Sequence, residues 1–225
     1  MILLRVQHRQ ATGAVPAIFV ALCLAVGLAR SASAAAIPAP LLNAQQSGTA
    51  IVFYAQAQMK EDMWPALFEA LRADLADGAG VLPNGLVLEK EPIFVRASED
   101  LRGVLFPKVI SVKLLGRCDL FPQIDRPAPS GPLGWVLMVS GQVQPFVSID
   151  CTRLAQVLRL KLAGLTVEGR RCAMAQAIAH VLIHEWIHIA TQSSSHGARG
   201  IAQANLSVEE LIAGPKGSHL SGANR

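Results

Sequence analysis

The chain has 225 residues and a mass of 23.9 kDa, room for one domain or two small ones. Hydrophobic residues make up 52% and charged residues 16%, which excludes a disordered chain; 18 Gly, 13 Pro and 4 Cys exclude collagen, coiled-coil and disulfide-scaffold classes. The net charge of +4 owes three units to Arg5, Arg9 and Arg30; without them the 20 Lys+Arg fall to 17 against 16 Asp+Glu, with no basic cluster to favour nucleic acid.

Residues 1–34 have the layout of a signal peptide. Arg5, His8 and Arg9 give a positive start, Ala11 to Ala29 is apolar, and Ala32-Ser33-Ala34 offers a small-x-small cleavage site. Pro16 and Arg30 leave the apolar core shorter than the roughly 20 residues of a membrane span, so cleavage is expected and no stable membrane anchor after it. Cys23 follows Leu22 rather than a small residue, which argues against a lipoprotein. The expected location is secreted or periplasmic, where disulfides persist. Three cysteines follow, and Cys118 with Cys151 is the preferred pair, since both end strand-like stretches; Cys172 is the odd one.

Residues 35–48 read as a linker, 49–213 as the folded domain and 214–225 as a loose tail. Within the domain, Ala50 to Ala55 is a strand. Glu61 to Ala76 is an amphipathic helix, with Met63, Leu67, Leu71 and Leu75 on one side and Pro65 in its first turn. Leu86 to Val95 and Val109 to Leu115 are predicted strands. Gly134 to Val139 and Gln144 to Ile149 form a predicted hairpin around Ser140-Gly141. Thr152 to Leu162 follows as a helix capped by Asp150 or Thr152, and Val208 to Ala213 as a short one.

The segment Cys172 to Ala190, CAMAQAIAHVLIHEWIHIA, is apolar nearly all round, the mark of a buried helix. His180, His184 and His188 recur every four residues and drift only about 40° per step, while Glu185 lies about 60° from His188. One side of an interior helix thus carries imidazoles and a carboxylate, groups that are costly to bury without partners. His184-Glu185-Trp186-Ile187-His188 is an HExxH motif. On a helix, histidines at i and i+4 both reach one zinc ion, and the Glu between them faces the water that zinc acidifies. A catalytic zinc needs a third ligand. His196, in the polar stretch after the helix where Gly197 and Gly200 permit a fold-back, is favoured; Glu209 or Glu210, about 20 residues beyond His188, is the rival. His180 is read as a packing or supporting residue, and His219 lies in the tail.

HEWIHIATQSSSHGARGIAQANLSVEEL resembles the C-terminal active-site region of small secreted metzincin-like zinc peptidases of bacteria. His184, Glu185, His188, His196, Gly200-Ile201 and Glu210-Leu211 carry the likeness, and GWVLMVSGQVQPFVSIDC extends it upstream. The resemblance implies a zincin or metzincin-like fold, Zn2+ held by His184, His188 and His196, and Glu185 as general base. Two departures stand out. Thr191 occupies the place of the glycine in the longer metzincin motif, and no Met follows His196, Ala202 standing near its place. The expected fold is α+β, a small mixed sheet packed on a central active-site helix. The expected function is a secreted zinc-dependent hydrolase, a peptidase whose substrate lies extended along an edge strand. The alternatives are a zinc hydrolase of non-peptide substrates and a non-catalytic exported zinc-binding or interaction protein.

Overall fold

A computed structural model describes residues 48–57, 59–79, 85, 87–99, 104–118, 130–197 and 200–214, together with strand β1 (Ile2–Leu3). Strands β2 (Thr49–Ala55), β3 (Ile93–Arg96), β4 (Lys108–Leu115), β5 (Gly134–Val139) and β6 (Gln142–Asp150) form one sheet in the order β3-β2-β4-β6-β5. The first four neighbours run parallel and β5 is an antiparallel edge, so the sheet is mixed, as expected, but mostly parallel. Parallel neighbours need a crossover, and helix α1 (Met63–Ala76) supplies it between β2 and β3.

Alternation decides which face of the sheet is inside. Ile110, Val112 and Leu114 of β4 are buried at every second position, and Val143, Val147 and Ile149 of β6 are buried on one face of their strand, with half-buried Pro145 between the first two. They share one core with Leu67, Leu71 and Leu75 of α1, Leu154 and Leu158 of α2 (Cys151–Ala163), and apolar residues between Ala173 and Ile187 of α3 (Val167–Thr191). Each such side chain contributes about 1.5–3 kcal/mol when fully buried. The predicted hairpin is present. Ser140 and Gly141 both have positive φ, 50° and 80°, as a two-residue turn matching the strand twist requires.

Two expected boundaries are corrected. Among the described residues of the predicted strand 86–95, only Ile93 to Val95 join the sheet, in a strand that ends at Arg96, because Pro92 cannot donate to a ladder and the strand starts just after it. The buried helix begins at Val167, not at Cys172. Thr166 caps it by accepting from the Gly169 N–H at 3.1 Å, and the polar turn that follows hides the helical pattern. Asp150 caps α2, accepting from the Arg153 N–H at 2.9 Å. A disulfide joins Cys118 to Cys151, tying together the far ends of neighbouring strands β4 and β6; Cys172 is free.

Beyond α3 come a 3-10 turn η1 (Gly200–Ala202), strand β7 (Asn205–Leu206) and helix α4 (Val208–Ile212). β7 pairs antiparallel with β1, Leu206 opposite Ile2. Apart from β1, the predicted signal peptide lies outside the described residues, as do linker residues 35–47 and tail residues 215–225. Among the described residues, no helix is long and apolar enough to cross a membrane.

Candidate metal centre

α3 runs through the interior because small residues let its neighbours approach: Ala173, Ala175, Ala177 and Ala179 are all buried. Its second half then brings His184, Glu185 and His188 into that interior, each only 1% exposed. The two histidine rings lie 4.8 Å apart between centroids, at 78° to one another.

Hydrogen bonds fix the tautomers. His184 Nδ1 donates to the Ile201 carbonyl at 2.7 Å, and His188 Nδ1 donates to the Ser193 carbonyl at 2.6 Å. A carbonyl only accepts, so each Nδ1 carries the proton and each Nε2 presents a bare lone pair. The two Nε2 atoms face one another at 3.1 Å. With each neutral ring's hydrogen on Nδ1, neither has one to place between them; burial pushes His184 down to about 3 and lowers His188 as well.

His196 completes the group. The helix ends at Thr191, and Gln192 takes the left-handed conformation (φ 51°) that reverses the chain. The Gln192 amide holds that turn by donating to the carbonyls of Val143 (3.0 Å) and Ile189 (2.9 Å). Gly197 then donates to the Ala202 carbonyl at 2.8 Å, and Gly200 has φ 66°. The predicted fold-back is present, with Gln192 making its first turn. The His196 ring stands 5.2 Å from that of His184 and 5.0 Å from that of His188. Its Nε2 is buried without a partner, and desolvation lowers its pKa.

Among the described residues, His184, His188 and His196 form the group able to hold a metal ion, their ligand atoms all within 4.8 Å of one another. The fit is chemical as well as spatial. Zn–N bonds of 2.0–2.1 Å place two tetrahedral ligand nitrogens ~3.4 Å apart. The 3.1 Å pair is close to that, and His196 stands a little wide. Two ring nitrogens oriented by carbonyls, with their opposite nitrogens bare, form the donor arrangement of a metal-bound histidine pair.

The rival third ligands lie elsewhere. Glu209 pairs with Lys161 at 2.8 Å on the surface, and Glu210 accepts from the Ser207 N–H at 2.7 Å in a capping box. His219 is outside the described residues.

Glu185 sits beside the cluster with one oxygen, Oε2, buried and partnerless. Burial alone raises its pKa to about 8. Above it lies Gly134, the first residue of edge strand β5. A Cβ at that position would come within 3.3 Å of Glu185 Cγ and Oε1. Gly134, Gln192 and the two carbonyls that orient the histidines are not apparent from sequence. Only the glycine beginning a strand hints at a close approach.

No protein-family model, curated protein or solved structure matches this chain. What is defined is a mixed α+β domain with a three-histidine cluster, two of its members buried and His196 half-buried, beside a glutamate whose Oε2 is buried without a partner.

Proposed function

We propose that this chain is an exported zinc-dependent hydrolase of zincin, metzincin-like type, and that its substrates are peptides or proteins. One observation carries the reading: two buried imidazoles turn bare Nε2 atoms toward one another at 3.1 Å, with a third beside them and an unpartnered carboxylate next along the helix. Two facing acceptors of this kind, with further nitrogen and oxygen donors beside them, suit a cation. Imidazole donors suit zinc better than magnesium or calcium, which take oxygen ligands. The fold part of the reading is supported by the position of β5, an antiparallel edge strand next to the helix that carries HExxH. Export is supported by the signal-like N-terminus and by a disulfide, which persists in oxidising compartments.

His184, His188 and His196 would hold the ion. Bound there, zinc supplies Lewis acidity toward a scissile carbonyl and acidifies a water. Glu185 accepts a proton from the attacking water as the water oxygen bonds to the carbonyl carbon. It then gives that proton to the leaving amine as the C–N bond breaks. The outer edge of β5 carries backbone groups that no strand pairs among the described residues, and an extended peptide is held by adding to that edge.

The test is metal content and hydrolysis of the purified mature protein. Zinc is expected at one per chain, lost in His196→Ala and kept in Glu209→Ala. Glu185→Gln is expected to keep zinc and lose hydrolysis of peptides by about 10²–10⁴-fold. Hydrolysis of small esters or amides but not peptides replaces the peptidase reading with a non-peptide zinc hydrolase. Zinc binding with no hydrolysis of any of these substrates leaves the non-catalytic zinc-binding protein.

A further inference from the structure

Three histidines recur one turn apart on α3, and each uses Nδ1 to grip a backbone carbonyl of the segment that returns along the helix. His188 holds Ser193 at 2.6 Å, His184 holds Ile201 at 2.7 Å, and His180 holds Leu211 at 3.1 Å. The first two belong to the cluster. The third does not: the Nε2 of His180 turns away to Gln176 at 3.0 Å and lies 3.3 Å from the Asp74 carboxylate. Gln176 Nε2 also donates to Asp74 Oδ2 at 2.6 Å. The protons close without remainder. One amide hydrogen of Gln176 goes to Asp74 and the other to His180 Nε2, which leaves the ring's own hydrogen on Nδ1 for Leu211. Asp74 and Gln176 are 3% and 8% exposed, so a network this deep holds its members firmly.

This network joins α1, α3 and α4. We infer that His180 is a positioning residue: it pins α4 to α3 through the Leu211 carbonyl, and so holds the connected segment that carries His196 and the Ile201 carbonyl against the cluster. The inference rests on the zinc reading above for its functional consequence, but not for its geometry. Five-residue α4 is too short to be stable alone. Among the described residues, its other polar tie to the helices, Lys161 with Glu209, is an exposed pair of little strength. The end of the returning segment therefore depends on Leu211, by its buried side chain and by the carbonyl that His180 holds.

The experiment compares His180→Phe, which fills the ring's volume without a donor, with His180→Asn, whose amide nitrogen lies near the place of Nδ1. Hydrogen exchange is followed over residues 200–212 in the metal-free protein, and zinc affinity is measured by competition with a chromophoric chelator. His180→Phe is expected to speed exchange about tenfold, the loss of one buried hydrogen bond. It is expected to weaken zinc about tenfold, the low end for a group acting through the ligands' supports. His180→Asn is expected to stay within about threefold of the wild type in both. If His180→Phe does not fold, His180→Gln, whose amide reaches past the Nδ1 position, takes its place and is expected to behave as the donor-free variant. Wild-type behaviour of the donor-free variant overturns the inference, as does equal loss in His180→Asn. Failure of the wild-type chain to take up zinc overturns the proposed function, whereas exchange in the metal-free protein decides the anchor by itself.

Discussion

Gly134→Ala probes the contact between the edge strand β5 and helix α3 with a single methyl group. Gly134 has no positive φ, so its lack of a side chain answers to space and not to backbone conformation. An added Cβ would lie 2.5 Å from Val181 Cγ1 and 3.3 Å from Glu185 Cγ and Oε1. Val181 is fully buried, and a β-branched side chain on a helix has essentially one rotamer, so it cannot swing aside. The strand or the helix must move. Overpacking of this kind costs about 1–3 kcal/mol, which lowers Tm by roughly 2–12 °C in a domain of this size. Val181→Ala removes the clashing atom and alone costs roughly 1.5 kcal/mol. The double variant should then be more stable than the sum of the two singles by about 1 kcal/mol or more. Urea unfolding of the four proteins measures the cycle. Hydrolysis should fall more than zinc affinity in Gly134→Ala, because the methyl meets Glu185 and not the imidazoles. A Gly134→Ala protein within about 0.5 kcal/mol of the wild type, or a strictly additive cycle, refutes the reasoning.

The disulfide spans 33 residues of chain between two strand ends, and Cys118→Ser with Cys151→Ser should cost about 3–4 kcal/mol in thermal or denaturant unfolding, with little change in metal content. Gln192→Val should cost about 2 kcal/mol, since it puts a β-branched residue at φ 51° and removes two hydrogen bonds; Gln192→Gly should be nearly neutral, because relief of the backbone offsets the lost bonds. Zinc at about 1,000 times its Kd should add about 4 kcal/mol of stability and raise Tm by roughly 8–16 °C, reversed by a chelator and not reproduced by calcium or magnesium; differential scanning calorimetry decides it.

Much of this layout was legible in the residues, and the reasons are local. The hairpin announced itself by two alternating runs around Ser140-Gly141, and α1 by leucines at helical spacing. The cluster was legible because HExxH is a helical spacing and His196 a conspicuous polar residue in a short loop. The start of α3 was not, since Glu168, Arg170 and Arg171 break the apolar pattern that identifies its later turns. Nor was the strand order, which is set by long-range packing and not by any local signal. The left-handed Gln192 was hidden for another reason. Glycine is the usual residue there, and only tertiary hydrogen bonds to Val143 and Ile189 make glutamine acceptable.

The histidines of α3 are also informative in how they differ. A core histidine that takes no part in the cluster must satisfy both ring nitrogens from the protein, and His180 does so, with Leu211 on one side and Gln176 on the other. His184 and His188 satisfy one each and aim the other at its twin, where two acceptors with no hydrogen between them gain nothing. Adding His196 Nε2 and Glu185 Oε2 gives four buried polar atoms without a productive protein partner. At about 1–3 kcal/mol each, their cost is comparable to the whole stability of a domain, about 5–15 kcal/mol. Apolar residues of similar volume at these positions would make a more stable protein. His184 and His188 thus satisfy their outward nitrogens and leave the inward ones facing one another, an arrangement that the proposed cation would relieve and that folding alone does not require.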